Sequence, residues 1–332
     1  MLRAIHPGVL TAVRQRIEYA GLLALRGIAR QLPLDVGVSL GGKLGASYGR
    51  LGAPRTLDAA VNLELAFPAS SRSERRRLLV ANFANLGRCL AEVLLLQGRH
   101  REELLARVSV EGREHYDAAR RRSSSGGVIV LTAHFGSWEL SAAAMAERGY
   151  PISVVHHRVG NPHVERMVSR WRAEAGVEEI RLGRAATGVF RALANGRILV
   201  MMLDQNAHRD EGVFAPFFGR PASTRSAPAR IAMARGVSIL PVFIFRVGQT
   251  ARHVVRISPP LELEVGDTAD CDDVALTSNI ASMNRAIEEA VRRAPDHWLW
   301  AYRRFRTQPE GMPPVYPARR KSRTSRRRRA GR

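Results

Sequence analysis

The sequence has few lysines, few cysteines and far fewer acidic than basic residues. Of 52 basic residues only Lys43 and Lys321 are lysines, and with 30 acidic residues the formal net charge is +22. The two cysteines, Cys89 and Cys271, lie far apart and neither belongs to a CxxC pair. This excludes a cysteine-built zinc or iron–sulfur site and fits a reducing compartment. The adjacent histidine pair has no third ligand at suitable spacing, so neither a metal nor another cofactor is expected.

Long uncharged apolar runs are also missing. No stretch approaches the ~18 residues that a membrane-spanning helix needs, and Arg14, Arg16 and Glu18 interrupt any secretory apolar region. Residues 1–50 are instead predicted to be an N-terminal amphipathic, membrane-associating helical region, in which apolar residues recur at helical spacing. These are Leu10, Val13, Ile17, Gly21, Leu25, Ile28 and Leu32. The stripe indicates either an interfacial helix with arginines at the headgroup level or a surface helix docked on the protein's own core.

From residue 51 onward the pattern predicts one α/β domain, a mixed sheet flanked by helices, that extends to residue 312. Buried strands are predicted at Val128–Ala133, Ile152–Val155, Ile198–Leu203 and Ser238–Phe245. Helices are predicted at Ser73–Gln97, Glu139–Arg148, Pro162–Ala175, Asp272–Arg293 and Pro295–Arg306. Residues 313–332 have no apolar periodicity and are predicted to be a disordered basic tail.

The candidate catalytic residue is His134, which directly follows the first buried strand. Ligands of open α/β sheets bind beyond the carboxyl ends of the strands, which is where this histidine falls. Gly136 permits a sharp turn, and Glu139 falls in the first turn of the next helix. The glutamate is predicted to fold back and orient the imidazole as a general base, although the pair could also be a chance spacing. Because there is no GxSxG nucleophile motif, the histidine would activate a substrate hydroxyl directly.

The segment from His134 to Glu139 has the H-x4-[D/E] form of the lysophospholipid-acyltransferase-like superfamily. Further blocks resemble one branch of it, the lipid A biosynthesis acyltransferases of the lauroyl and myristoyl type. Those blocks are Asn161-Pro162 with Arg172, Leu203-Asp204-Gln205, Gly212 to Gly219, and Trp300 to Gly311. The resemblance covers roughly Leu10 to Tyr316, and the closing W-x-Y-R-R-F block is the most specific part of it.

This resemblance implies a glycerolipid-acyltransferase-like fold and acyl transfer at the cytoplasmic face of the bacterial inner membrane. Acyl carrier protein would be the donor, and the hydroxyl of a 3-hydroxyacyl chain on a lipid A precursor, a glycolipid, would be the acceptor. By position, His134 would deprotonate that hydroxyl without an acyl-enzyme, and Glu139 would orient the imidazole. Arg172 and Asp204 match active-site positions of the family and are expected to bind substrate; an arginine fork suits a phosphate or a thioester oxygen.

Other residues are weaker candidates. Phe214, Phe217 and Phe218 could line an acyl-chain groove or pack in the core, and core packing is favoured for at least one of them. Arg303 and Arg304 lie in an aromatic-basic stretch that suits a phosphate contact near a membrane, or a helix docked on the core. The F-P-E-G-T-R block of glycerol-phosphate acyltransferases is absent, so glycerol 3-phosphate is not the expected acceptor.

Two alternatives remain open. A sister group acylates mannosylated phosphatidylinositol from acyl-CoA with the same His–Glu chemistry, so the motif does not separate the two. The chain could also be a non-enzymatic basic protein that binds RNA or membranes. It contains no recognisable nucleic-acid-binding module, so no specific nucleic acid is expected, and the basic tail is predicted to favour an anionic membrane surface.

Overall fold

A computed structural model describes residues 7–156, 160–181, 185–264 and 269–317. It contains a seven-stranded sheet in the order β1-β9-β8-β2-β5-β3-β4 and a separate hairpin, β6-β7. The strands are β1 (Val108–Glu111), β2 (Val128–Thr132), β3 (Ile152–His156), β4 (Glu178–Arg181), β5 (Ile198–Met202), β6 (Gly212–Phe217), β7 (Arg220–Arg225), β8 (Ile239–Arg246) and β9 (His253–Ile257). The helices are α1 (Pro7–Gln31), α2 (Leu34–Arg50), α3 (Pro54–Ala66), α4 (Arg72–Leu95), α5 (Arg101–Ala106), α6 (Arg113–Arg122), α7 (Trp138–Glu147), α8 (Pro162–Glu174), α9 (Ala185–Ala194), α10 (Ala227–Arg235) and α11 (Ala269–Arg293).

The sheet is mixed, as predicted. Only the pairing of β8 with β9 is antiparallel, and the other neighbouring strands run parallel. β2 lies inside the sheet between β5 and β8, and four of its five residues are buried. A strand buried on both faces reads as a continuous apolar run, which is why this strand could be recognised in the sequence.

Two predictions about the C-terminal part are wrong. Residues 295–302, called here the closing segment, form turns and an isolated bridge between Trp298 and Phe135 rather than a helix. The ordered chain also extends past residue 313, because Tyr316 is buried and its hydroxyl donates to Asn62 Oδ1 at 2.5 Å. The basic residues beyond 317 lie outside the described residues.

Helix α2 packs closely along α4 because both helices carry glycine at the crossing. A Cβ on Gly45 would lie 2.0 Å from the Phe83 carbonyl oxygen, and one on Gly87 would lie 2.1 Å from the Gly41 oxygen. In the described part of the chain α4 is the one helix long and apolar enough to cross a membrane, and 56% of its apolar stretch is buried. It is therefore placed as a core helix that holds α2 against the sheet domain.

Helix α1 bears on both interpretations of the N-terminal stripe. The predicted stripe faces away from the protein, with Ile17 67% and Ile28 58% exposed. The opposite side of the helix docks instead: Tyr19 stacks on His163 of α8 at 5.4 Å, and Leu22 packs beside Trp171. The apolar stripe is consequently free to contact something other than the core.

Candidate active site

The register of two parallel strands places His134 beside Asp204. Thr132 at the end of β2 pairs with Met202 at the end of β5, so the residues two positions further along each chain are level with one another. The Asp204 carboxylate accepts from the His134 backbone N–H at 2.9 Å and lies 2.9 Å from Nδ1 of the ring. The carboxyl edge of the sheet thus carries an imidazole–carboxylate pair.

The arrangement of the pair fixes which nitrogen of His134 can act as a base. An ionised carboxylate can only accept, so Nδ1 carries the proton and Nε2 carries the lone pair. Nε2 accepts a hydrogen bond from the amide N–H of Gln205 at 3.3 Å, which a substrate hydroxyl would have to replace, and the ring packs edge-on against Trp138. Burial lowers the pKa of His134, but the charge and hydrogen bond of Asp204 outweigh it and raise that pKa above its ordinary value of 6.5.

Asp204 is itself held by the closing segment. The indole Nε1 of Trp298 donates to Asp204 Oδ2 at 2.9 Å, and the side chain of Asp204 is 3% exposed. Burial raises the pKa of Asp204, but the His134 charge and the hydrogen bonds from His134 and Trp298 lower it below its usual range. The aspartate therefore stays ionised and keeps the imidazole oriented.

Backbone contacts join the closing segment to the turn after β2. Gly136 has a φ of +57° and lies so close to β8 that a Cβ would be 2.5 Å from the Ile244 oxygen. Its N–H donates to the His297 carbonyl at 2.9 Å, and the Leu299 N–H donates to the His134 carbonyl at 2.9 Å. Any side chain at position 136 would thus displace β8 or the turn that carries His134.

Two asparagines from the N-terminal helices hold the other side of the closing segment. Asn62 of α3 donates to the carbonyls of Trp300 and Tyr302, each at 2.7 Å. Asn82 of α4 donates to the carbonyls of Asp296 and Trp298 at 2.9 and 2.6 Å. These bonds satisfy carbonyls that a helix would have used, which explains why the segment forms turns rather than a helix.

Glu139 does not orient His134, so that prediction is wrong. It occupies the first turn of α7, where its carboxylate forms a bidentate ion pair with Arg172 of α8, including a 3.0 Å bond from Nε. A planar guanidinium fork matches a carboxylate better than an imidazole does, and Asp204 already occupies Nδ1. Glu139 acts on His134 only through its charge.

The same contacts correct the expectation for Arg172. Three of its N–H groups donate to carboxylates, two to Glu139 and one to Glu179 at 2.9 Å. Burial lowers the pKa of Arg172, but the two glutamates raise it further above its usual range. Arg172 lines the cavity, but its guanidinium group is paired with both glutamates. It therefore holds Glu139 and does not present an unpaired guanidinium group to substrate.

His134 lines an apolar cavity of about 770 Å³. Its lining includes His134, Trp138 and Gln205, residues of β2, β3, β5, β8 and α7, and a polar part formed by Glu211, Arg225 and Arg230. Strand residues facing α7 form the lining, among them Val130, Ile152, Val154, Val200 and Ile244, with Met145 opposite. From the strand register, Ile152 is level with Val128, four residues before the end of β2 at Thr132, which is about 13 Å at about 3.3 Å per residue.

The three phenylalanines do not line this cavity, so their assignment to an acyl groove is wrong. Phe217 is fully buried against Trp298, and Phe218 is buried against Phe67 and Trp300. Phe214 is half-buried on β6. The rings belong to a hairpin that packs on the core, so core packing explains Phe217 and Phe218.

Neither Arg303 nor Arg304 lines the cavity, which corrects their assignment to substrate binding. Arg303 pairs with Asp58 at 2.7 Å. Arg304 is fully buried and donates to the Ser223 carbonyl at 2.7 Å and to Thr224. Burial lowers the pKa of Arg304 to about 10, and the nearby charge of Asp204 partly offsets this. Both arginines therefore stabilise the fold through these contacts, outside the cavity.

Sequence reasoning missed Trp298, Asn62 and Asn82 as positioning residues. The only signal was that Trp298 precedes the W-x-Y-R-R-F block and that Asn62 lies in a region that resembles the family's N-terminal part. Groups of His, Cys, Asp and Glu that could hold a metal ion are absent from the described residues.

Comparisons with known proteins point in one direction. The family described as bacterial lipid A biosynthesis acyltransferase matches residues 8–307. The lipid A biosynthesis palmitoleoyltransferase of Escherichia coli (strain K12) is 30% identical over 288 residues, covering 86% of this chain and 90% of that protein. The lauroyltransferase of the same strain is 28% identical, with 86% and 90% covered. Its myristoyltransferase is 26% identical over 303 residues, with 91% and 90% covered.

Proposed function

Because the chain belongs to the bacterial lipid A biosynthesis acyltransferase family and is thus an acyltransferase, we propose that it acylates the hydroxyl of a 3-hydroxyacyl chain on a lipid A precursor. The donor is a fatty acyl thioester carried by acyl carrier protein. One observation carries the proposal: a histidine with its Nδ1 held by a buried aspartate lines an apolar cavity.

In the proposed step His134 acts as a general base. Nε2 removes the proton of the acceptor hydroxyl while its oxygen attacks the thioester carbonyl. The new C–O ester bond forms, the C–S bond breaks, and the proton passes from Nε2 to the departing thiolate. Asp204 keeps the ring in the reactive tautomer and stabilises the imidazolium that forms in between. The N-terminus of α7, next to His134, favours the negative charge that develops on the carbonyl oxygen.

The fatty acyl chain of the donor lies in the apolar cavity. Val, Ile, Leu and Met side chains form much of its wall and His134 lines it, so a chain bound along it presents its thioester to Nε2. Ile152 and Met145 lie furthest from His134 along the strands and along α7. These two side chains meet the end of the chain and therefore set the length that fits.

The reaction takes place at the cytoplasmic face of the inner membrane, with the protein attached peripherally. The exposed stripe of α1, which includes Val13 and Leu25, supports this location because it is not used to dock the helix on the core. The acceptor is a glycolipid, so a membrane-facing helix near α8 brings the site to its substrate.

The test is an acyl transfer assay with purified protein, a detergent-solubilised lipid A precursor and an acyl-carrier-protein thioester, read by mass spectrometry. His134→Ala should lower kcat about 10²–10⁴-fold, the usual contribution of a general base. The matched control is His208→Ala, an exposed histidine that lies outside the cavity. Transfer by His134→Ala within a few-fold of wild type would disprove the mechanism, and turnover with acyl-CoA alone would disprove the donor.

A further inference from the structure

A second cavity, of about 580 Å³, lies between α2 and α4 beside the loop that follows β8, and it shares no lining residue with the apolar cavity. Among the described residues of its wall only Asp296 is acidic, and one arginine, Arg246, is already paired with Glu92. Five other basic side chains line what is called here the basic cavity. They are Lys43, Arg50, Arg76, Arg77 and Arg88.

The five cations are not neutralised by the protein. In the described part of the chain none of them forms an ion pair within 4.0 Å. Arg88 donates to the neutral Gln249 amide oxygen at 2.6 Å, while its Nε is buried without a hydrogen-bond partner. Gly42 makes room for this guanidinium, since a Cβ there would lie 2.9 Å from Nε. Burial and the neighbouring Arg246 lower the pKa of Arg88, as expected where positive charge has no counterion.

The outer face of α2, next to the basic cavity, is apolar and exposed. Its residues follow helical spacing along one side and form what is called here the apolar strip. They are Val36, Leu40, Leu44, Tyr48 and Leu51, all at least 40% exposed. Lys43 and Arg50 lie on the same helix beside the strip, on the side that faces α4. Exposed apolar side chains and the basic cavity therefore lie side by side on α2, although the ring of Tyr48 also contacts Phe83 of α4 at 5.3 Å.

We propose that the basic cavity binds the phosphate of an anionic phospholipid headgroup while the apolar strip enters the same leaflet. A bilayer interface offers both requirements at once, negative headgroups beside an apolar layer. An acidic protein would match the charge but would leave the row of leucines in water. This binding site is separate from the acyl transfer site, and its test does not depend on catalysis.

The experiment is flotation of the purified full chain with vesicles of phosphatidylcholine alone or mixed with phosphatidylglycerol. The variant K43Q/R50Q/R77Q removes three cavity charges, and the matched control R121Q/R122Q/R252Q removes three exposed charges elsewhere. Both keep the basic tail, so its contribution cancels. At about fivefold per basic residue, the cavity variant should bind mixed vesicles about a hundredfold more weakly, and the control should remain close to wild type.

Two further arms identify the ligand. L44S/L51S, at exposed positions, should weaken binding to both kinds of vesicle about tenfold. Inorganic phosphate, compared with chloride at equal ionic strength, should release wild type from mixed vesicles more than it releases the cavity variant. Equal vesicle binding by the cavity variant and its control would overturn the proposal. Unchanged vesicle binding with a raised KM for the carrier-protein donor would assign the cavity to an acidic protein instead.

Discussion

Replacing Asp204 by asparagine changes one atom of the side chain and tests the proposed mechanism most directly. The carboxylate accepts three hydrogen bonds, one at Oδ1 from Nδ1 of His134 and two at Oδ2 from the His134 backbone and the Trp298 indole. An asparagine must place its NH2 group on one of these two sides. If the amide oxygen faces the His134 backbone N–H and the Trp298 indole, both of those hydrogen bonds are kept. The NH2 group then turns toward Nδ1 of His134.

The magnitude follows from this geometry. When the amide donates to Nδ1, that nitrogen must accept, and the proton moves to Nε2, which then has no lone pair for a hydroxyl proton. The variant should lose most of the general-base contribution, about 10²–10⁴-fold in kcat. Loss of the carboxylate also removes the charge and hydrogen bond of Asp204 that raise the pKa of His134, so burial then lowers that pKa. Because the neutral ring is the active form, the acid limb of kcat/KM should move to lower pH.

The assay is the pH profile of kcat/KM for acyl transfer, with Glu139→Gln as the comparison. That variant breaks the pairing with Arg172 but leaves the hydrogen bond between His134 and Asp204 intact. It should lower kcat by less than about tenfold and shift the acid limb only slightly. If Glu139→Gln abolished activity and Asp204→Asn left both rate and profile unchanged, the assignment of the orienting carboxylate would be refuted.

Three other substitutions test the support of Asp204, the packing of α2 on α4, and the cavity. Trp298→Phe removes one hydrogen bond to Asp204 and should lower kcat about tenfold, the equivalent of about 1.5 kcal/mol, while the carrier-donor KM stays unchanged in steady-state kinetics. Gly45→Ala, which would place a carbon 2.0 Å from a carbonyl oxygen of α4, should lower the free energy of unfolding by about 2 kcal/mol or more in urea titrations, whereas Gly27→Ala, in open space, should not destabilise. Ile152→Phe should shift the preferred donor to shorter acyl chains in a competition assay with mixed thioesters, and an unaltered preference would place the end of the chain elsewhere.

The parts of the fold that depend on local pattern could be predicted from the sequence. The family resemblance and the α/β class are confirmed, as are the strand before His134 and the long helix that ends at Arg293. Each of these rests on apolar spacing within one segment or on an ordered set of motifs. The position of Asp204 at a strand end was also visible.

The partner of His134 could not be predicted in the same way. Glu139 was chosen because it is near in sequence, whereas Asp204 comes level with His134 only because β5 inserts between β2 and β3 in the sheet. The spacing of apolar residues within one segment does not predict the order of strands in the sheet. The closing segment was predicted as a helix for a similar reason: its aromatic spacing looks helical, but the asparagines that satisfy its carbonyls lie more than 200 residues away.

Those asparagine contacts join early and late parts of the chain. Asn62 and the carbonyl it binds at Trp300 are 238 residues apart, and the indole that holds the aspartate arrives on the same late stretch of chain. Contacts of such long range form only after most of the polypeptide has left the ribosome. A growing chain therefore carries His134 well before the stretch that holds its aspartate is present.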